Sequence, residues 1–210
     1  MRIILKSLLS ICTLITLQGA AQTLPADRDL GAFSWEISFP TSNKFIDETS
    51  LSGWRFEYRK GIRKDLSVGI AISWSAFEEF VDTKTYSSSD NARAITTDMI
   101  RQVYAVPITI IGHYYPSTKS KMLEPYLGLG LGTQYVENKA FLNIYELNDN
   151  NWGFVARPEV GTLVKFSSNS PVKALLGLGY NISTNKNETF DVNGWHHLTI
   201  NVGIGFGAGF

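Results

Sequence analysis

The chain has 210 residues, 18 of them Gly, with 12% aromatic and only 18% charged residues. A disordered chain would be more charged and less aromatic, and a helical bundle rarely carries so much glycine, which leaves a β-rich protein. Nineteen basic residues balance nineteen acidic ones, so no basic excess points to a nucleic-acid partner.

Residues 1–21 open with Arg2 and Lys6, continue through an apolar run from Leu8 to Leu17, and close on Gly19-Ala20-Ala21. Basic start, short apolar middle and small residues predict a secretory signal peptide cleaved after Ala21. The run is too short for a spanning helix, which needs about 20 residues. Cys12, the single cysteine, falls inside that run. Residues 22–210 are then one domain of net charge about −2 without a disulfide, and a closed barrel would hold such an exported chain together.

Period-two alternation predicts eight strands along that domain. Residues 31–39 set Phe33, Trp35, Ile37 and Phe39 against Ala32, Ser34, Glu36 and Ser38. Residues 51–60 set Trp54, Phe56 and Tyr58 against Gly53, Arg55, Glu57 and Arg59, and residues 66–77 alternate Leu66, Val68, Ile70, Ile72 and Trp74 with small residues. The fourth strand, about 99–114, places Ile100, Tyr104, Val106, Ile108 and Ile110 opposite Arg101, Val103, Ala105, Thr109 and His113. Pro107 cannot donate to a ladder, so a bulge or bend is expected there. Residues 125–135 oppose Leu127, Leu129 and Leu131 to Tyr126, Gly128, Gly130 and Gly132. Residues 152–166 oppose Trp152, Phe154 and Val160 to Arg157, Glu159, Gly161 and Lys165. Residues 172–182 and 198–210 repeat the scheme, the last with Leu198, Ile200, Val202, Ile204, Phe206, Ala208 and Phe210 facing Thr199, Asn201 and four glycines.

Short links follow strands two, four and six. Longer polar segments, about 40–50, 78–97, 137–151 and 183–194, follow the others. This layout predicts an all-β, antiparallel up-and-down transmembrane barrel with short periplasmic turns and long extracellular loops. Soluble and membrane barrels invert the same alternation, one burying its apolar face and the other turning it to lipid. Glycines on alternate positions would be costly on a soluble exterior but suit a narrow lumen, so the apolar face is expected to meet lipid. Trp54, Trp74, Trp152 and Trp195 then fall at the loop-side ends of their strands, as an outer aromatic girdle. Glu36, Arg55, Glu57, Arg59, Arg101, Arg157, Glu159 and Lys165 point inward together and are expected to form a salt-bridge network filling the lumen.

With the leader, the eight strands, the run Pro125 to Gly132 and the aromatic Phe210, the chain resembles small eight-stranded outer-membrane barrels of the OmpA/OmpX/OmpW-like kind. The resemblance implies residence in a Gram-negative outer membrane, contact with its lipid, and passage through the barrel-assembly machinery. Ile204, Phe206, Ala208 and Phe210 are similar to the carboxy-terminal signal which that machinery reads.

Chemistry is sparse. Gly128-x-Gly130-x-Gly132 and Gly203-x-Gly205-x-Gly207 suit a strand face and not a phosphate-binding turn. His113, His196 and His197 are the only histidines. Adjacent ones on a strand point to opposite faces and do not chelate unaided. The acidic Glu78, Glu79, Asp82 and Asp90 lack the ligand spacing of a calcium loop. Neither cofactor nor metal is expected. The expected role is non-enzymatic, with a rigid anchor and recognition carried by the loops. Three alternatives stay open: a narrow passage for small hydrophobic molecules through an apolar loop-side pocket, a lipid A-modifying enzyme using His196, His197 and Thr199, and a soluble lipid-binding barrel.

Overall fold

The computed structural model describes residues 29–41, 45–87, 94–120, 122–167, 170–190 and 192–207. The expected signal peptide, and Ala208 and Phe210 of the assembly signal, lie outside these. The strands are β1 (Leu30–Pro40), β2 (Ser50–Arg63), β3 (Leu66–Ser87), β4 (Ala94–Tyr114), β5 (Leu123–Leu142), β6 (Tyr145–Lys165), β7 (Val172–Ser183), β8 (Lys186–Asn187), β9 (Val192–Asn193) and β10 (His197–Gly207). Eight of them close into an antiparallel ring in the order β1-β10-β7-β6-β5-β4-β3-β2, and β8 and β9 form a small hairpin between β7 and β10. Each barrel strand pairs with the next barrel strand along the chain, β7 with β10 across the small hairpin, and β1 against β10 closes the ring.

The orientation follows the alternation. Ile70, Phe206 and Leu178 stand on the outside at 61%, 54% and 44% exposure, whereas Arg157 is sealed inside. An apolar wall around a polar core suits a hydrocarbon surround and is the reverse of a soluble barrel. Glycine makes the inside possible. A Cβ on Gly128 would stand 2.7 Å from the His113 ring, and one on Gly179 would stand 3.0 Å from Nε of Arg157. The bulky ions of β6 and the ring of β4 thus occupy the volume that β5 and β7 leave empty.

Two of the long polar segments are not loops. β3 runs on to Ser87 and β4 starts at Ala94, so most of 78–97 is strand; likewise most of 137–151 belongs to β5 and β6, joined through Asn143 and Ile144. Outside a bilayer a hairpin has no need of an apolar outer face, so its polar composition hides its strands. Thr83, Thr85, Thr96 and Thr97 still supply β-branched side chains suited to a sheet, and the Thr85 and Thr96 hydroxyls bond across the hairpin at 2.9 Å. Above the barrel, β3 to β6 continue as a four-stranded sheet whose outer face carries the row Phe80, Ile100, Phe141, Glu146.

The bulge expected at Pro107 is absent. Its pairing with Gln134 on β5 keeps register. On the β3 side the ladder merely skips Ser73 and Trp74, where a donor is missing, and the register shift of that strand pair lies higher, between Val81 and Lys84.

Candidate functional site

The lumen is stacked in three layers. The middle one is ionic. Neighbouring odd positions on β2 hold Arg55, Glu57 and Arg59, β6 supplies Arg157 and Glu159, β1 supplies Glu36, and β4 adds His113. Period two is what aims these side chains at one axis. Arg59 Nη2 donates to Glu57 Oε1 at 2.7 Å, and Arg55 reaches Glu57 and Glu159 at 3.2 Å each. Arg157 Nη2 binds Glu36 Oε2 at 2.8 Å, while its Nε lies 3.4 Å from Glu159. His113 Nε2 meets the other oxygen of Glu159 at 2.5 Å.

Polar residues of β10 and β3 complete the layer. Arg157 also donates to Thr199 and Asn201, Asn201 donates to Glu36 at 3.0 Å, and the Ser75 hydroxyl donates to Glu36. Three carboxylates thus neutralise three guanidiniums, and the void between Arg55, Glu57, Tyr126, Glu159 and Asn201 has no room for a water molecule. Ions so far from water persist only with partners of this kind. Glu57, His113 and Glu159 have donor atoms within 4.8 Å of one another, the compactness of a metal site. Their carboxylates are already held by arginines, and a cation placed there would face three positive charges.

Toward the turn side, Leu30, Ala32, Tyr115, Tyr126, Leu163 and Leu175 make an apolar and aromatic floor. The Arg59 guanidinium lies 4.3 Å above the Tyr126 ring, a cation–π contact that ties floor to ionic layer. Below it Glu124 joins Lys165 and Lys173, each at 2.9 Å. Toward the loop side Phe45, Ile46, Phe77, Val81, Val103, Val136, Val192 and Trp195 belong to an apolar cap. The connection from β7 to β10 is folded into it. Asn185 bonds the carbonyls of Gln134 and Asn151, and Gly194, at φ 88°, donates to the Asn185 carbonyl at 2.7 Å. That left-handed glycine turns the chain so that Trp195 enters the barrel and meets Phe77 edge to face at 5.1 Å.

Several expected positions change. Trp195 is fully buried and caps the lumen instead of joining a girdle. As a connection residue it escapes strand parity. Trp54 and Trp74 are register partners on the outer wall, as are Tyr135 and Trp152, and Trp35 sits beside Trp54 in the same row. The ionic network occupies the middle of the lumen without filling it. Arg101 lies above it, bonded to the Phe45 carbonyl at 2.9 Å, and Lys165 lies below it with Glu124. Both stand too far along their strands to reach the centre.

His113, Thr199 and Asn201 belong to the network although sequence reasoning left them out. Parity places His113 on the inner face of its strand, which was the available signal. His197 bonds Asn181 at 3.0 Å, His196 accepts from the Ser183 backbone, and the Thr199 hydroxyl donates to the Gly179 carbonyl. The threonine is therefore engaged within the packed lumen and not paired with a base, as nucleophilic chemistry requires. The loop-side pocket needed for passage of hydrophobic molecules is occupied by the cap.

No family model matches the chain, and no curated protein matches its sequence. Solved structures do. Neisserial surface protein A is 16% identical with a TM-score of 0.53, the alignment covering 85% of this chain and 96% of that one. Ail, the attachment invasion locus protein of Yersinia pestis, is 13% identical with a TM-score of 0.49, covering 85% and 97%. Outer membrane protein W of Escherichia coli is 12% identical with a TM-score of 0.41, again covering 85% and 97%. The likeness to the neisserial protein, together with the closed ring of eight strands, gives the chain the fold of the small eight-stranded outer-membrane barrels.

Proposed function

We propose that the protein is an integral, non-enzymatic protein of a bacterial outer membrane, a barrel that conducts nothing and holds a stiff four-stranded sheet above the membrane for recognition. The observation that carries this reading is the lumen: a neutral ionic layer, with no room for water in the void beside Arg55, Glu57 and Glu159, between apolar layers at both ends. A barrel so packed is an anchor. Its other consequence is rigidity, because strands tied across the axis through Arg157 and Glu36 cannot flex independently.

Beyond the aromatic row, β3 continues from Trp74 to Ser87, about 40 Å of strand at roughly 3.4 Å per residue. A sheet that long spends no part of its binding free energy on ordering itself, unlike a mobile loop. Planar-bilayer recording tests the reading. Purified, refolded protein is expected to give a quiet baseline, and large stable single-channel steps would overturn it.

A further inference from the structure

At the end of the barrel opposite the long sheet, the turn-side mouth holds a cavity of about 500 Å³, a size typical of small-molecule sites. It lies between the β2–β3 turn, the β4–β5 turn and the turn-side ends of β5 and β6, beneath the floor residue Tyr115. Its hydroxyls are set to donate. Ser120 Oγ accepts from the backbones of Met122 and Leu123, and Thr118 Oγ1 accepts from the backbone of Ser120, which leaves both O–H groups for a ligand. The Ser117 hydroxyl has no partner among the described residues. The carboxylates are already taken. Glu124 binds Lys165 and Lys173 at 2.9 Å each, and Asp65 lies 3.4 Å from Nε of Arg63. Lys64 on the cavity wall has no ionic partner among the described residues, and neither has Lys119 in the adjoining turn. Arg63, Lys64, Lys119, Lys165 and Lys173 thus stand against only Asp65 and Glu124. Donors without acceptors and cations without counter-ions fit an oxyanion.

We propose that this mouth binds the phosphate monoester of a small sugar from the aqueous phase on the turn side. The inference goes beyond the reading above, because the loop-side sheet takes no part in it. Charge selects the phosphate. A monoester carries about −1.5 to −2 charge and three acceptor oxygens at neutral pH. The ammoniums of Lys64 and Lys165 and the hydroxyls of Ser117 and Thr118 offer it counter-charge and donors together. The remaining volume, walled by Pro116 and Pro125, takes the sugar. Position selects the aqueous source over a lipid headgroup. Glu124 and Lys165 continue the inward parity of the floor residues Tyr126 and Leu163, so they face the mouth of the ring. Tyr114, Leu123 and Phe166 have the outward parity and are exposed. They form the lipid-facing rim, and a headgroup at the wall meets them instead of the cavity.

The test is isothermal titration calorimetry of the whole protein in a sugar-free, non-ionic detergent, with glucose 1-phosphate as the probe. Binding is expected with Kd below about 1 mM, and glucose and succinate are each expected to bind at least about tenfold more weakly. Lys64→Gln is expected to weaken binding of the probe at least about tenfold, and Ser117→Ala several-fold. Lys60→Gln makes the same change of charge on the outer wall, where Lys60 is exposed, and is expected to leave binding unchanged. The proposal falls if glucose 1-phosphate does not bind. It falls also if succinate binds as tightly or if Lys60→Gln weakens binding as much as Lys64→Gln, since either would mean diffuse attraction without a site. Repeating the titration in nanodiscs with and without phosphatidylglycerol separates the two sources of phosphate. Equal affinity in both is expected, and loss of binding in the anionic bilayer would overturn the proposal by showing that a lipid phosphate occupies the mouth.

Discussion

Glu159 shows what a single side chain carries here. One carboxylate oxygen meets Arg55 at 3.2 Å and Arg157 at 3.4 Å, and the other meets His113. Glu159→Gln keeps the shape and removes the charge, which leaves the guanidiniums of the layer one counter-ion short. Breaking a buried pair from one side costs about 3–5 kcal/mol. The expected outcome is a lower urea midpoint for micelle-embedded protein followed by tryptophan fluorescence, partly restored by adding Arg55→Gln. A midpoint equal to the parent's would mean that water already reaches the layer. The inward charges of β2 and β6 are readable from sequence because parity in a strand fixes the face. Their grouping is less readable. Arg101 shares the parity but sits too high, and nothing in its neighbours along the chain records height.

Among elements, the β5–β6 hairpin holds its turn with two residues, Asn143 and Ile144, and Asn143 has φ 56°. Asparagine tolerates this left-handed region, whereas a β-branched residue there costs about 1–2 kcal/mol. Asn143→Val is expected to loosen the hairpin tip and leave the barrel alone, because the twenty-residue pairing of β5 with β6 is anchored far below by register in the wall. Limited chymotrypsin digestion checks this: cleavage after Tyr145 should accelerate while the unfolding midpoint stays put. A shifted midpoint would show that sheet and barrel unfold as one unit. The same hairpin marks where reading the sequence stops. Within the bilayer one face of every strand meets hydrocarbon, so alternation is stark, as in β10. Above it both faces of 78–97 and 137–151 mix apolar residues such as Phe80, Val81 and Phe141 with polar and charged ones, so neither face stands out and strand and loop look alike.

At the scale of the molecule, the three layers seal the lumen from two ends independently. Trp195 and Phe77 close the loop side, Tyr115 and Tyr126 close the turn side, and the ionic layer separates them. Ser38 lies just under the cap, bonded to Ser75 at 3.0 Å, and Ser67 lies in the floor near Tyr115 at 3.2 Å. Both are fully buried, which makes them reporters once replaced by cysteine. The described residues contain no cysteine of their own. Neither Ser38→Cys nor Ser67→Cys is expected to react with a charged thiol reagent in the otherwise unchanged barrel. Trp195→Ala removes the largest side chain of the cap, at a cost of about 3–5 kcal/mol for a large aromatic truncated in a core. It should expose Ser38→Cys to the reagent and leave Ser67→Cys protected, since Arg157 and Glu36 still bridge the axis between them. Reaction at both sites after the one substitution would mean a continuous path through the barrel. The ionic layer would then be a filter and not a wall, and the protein a passage after all.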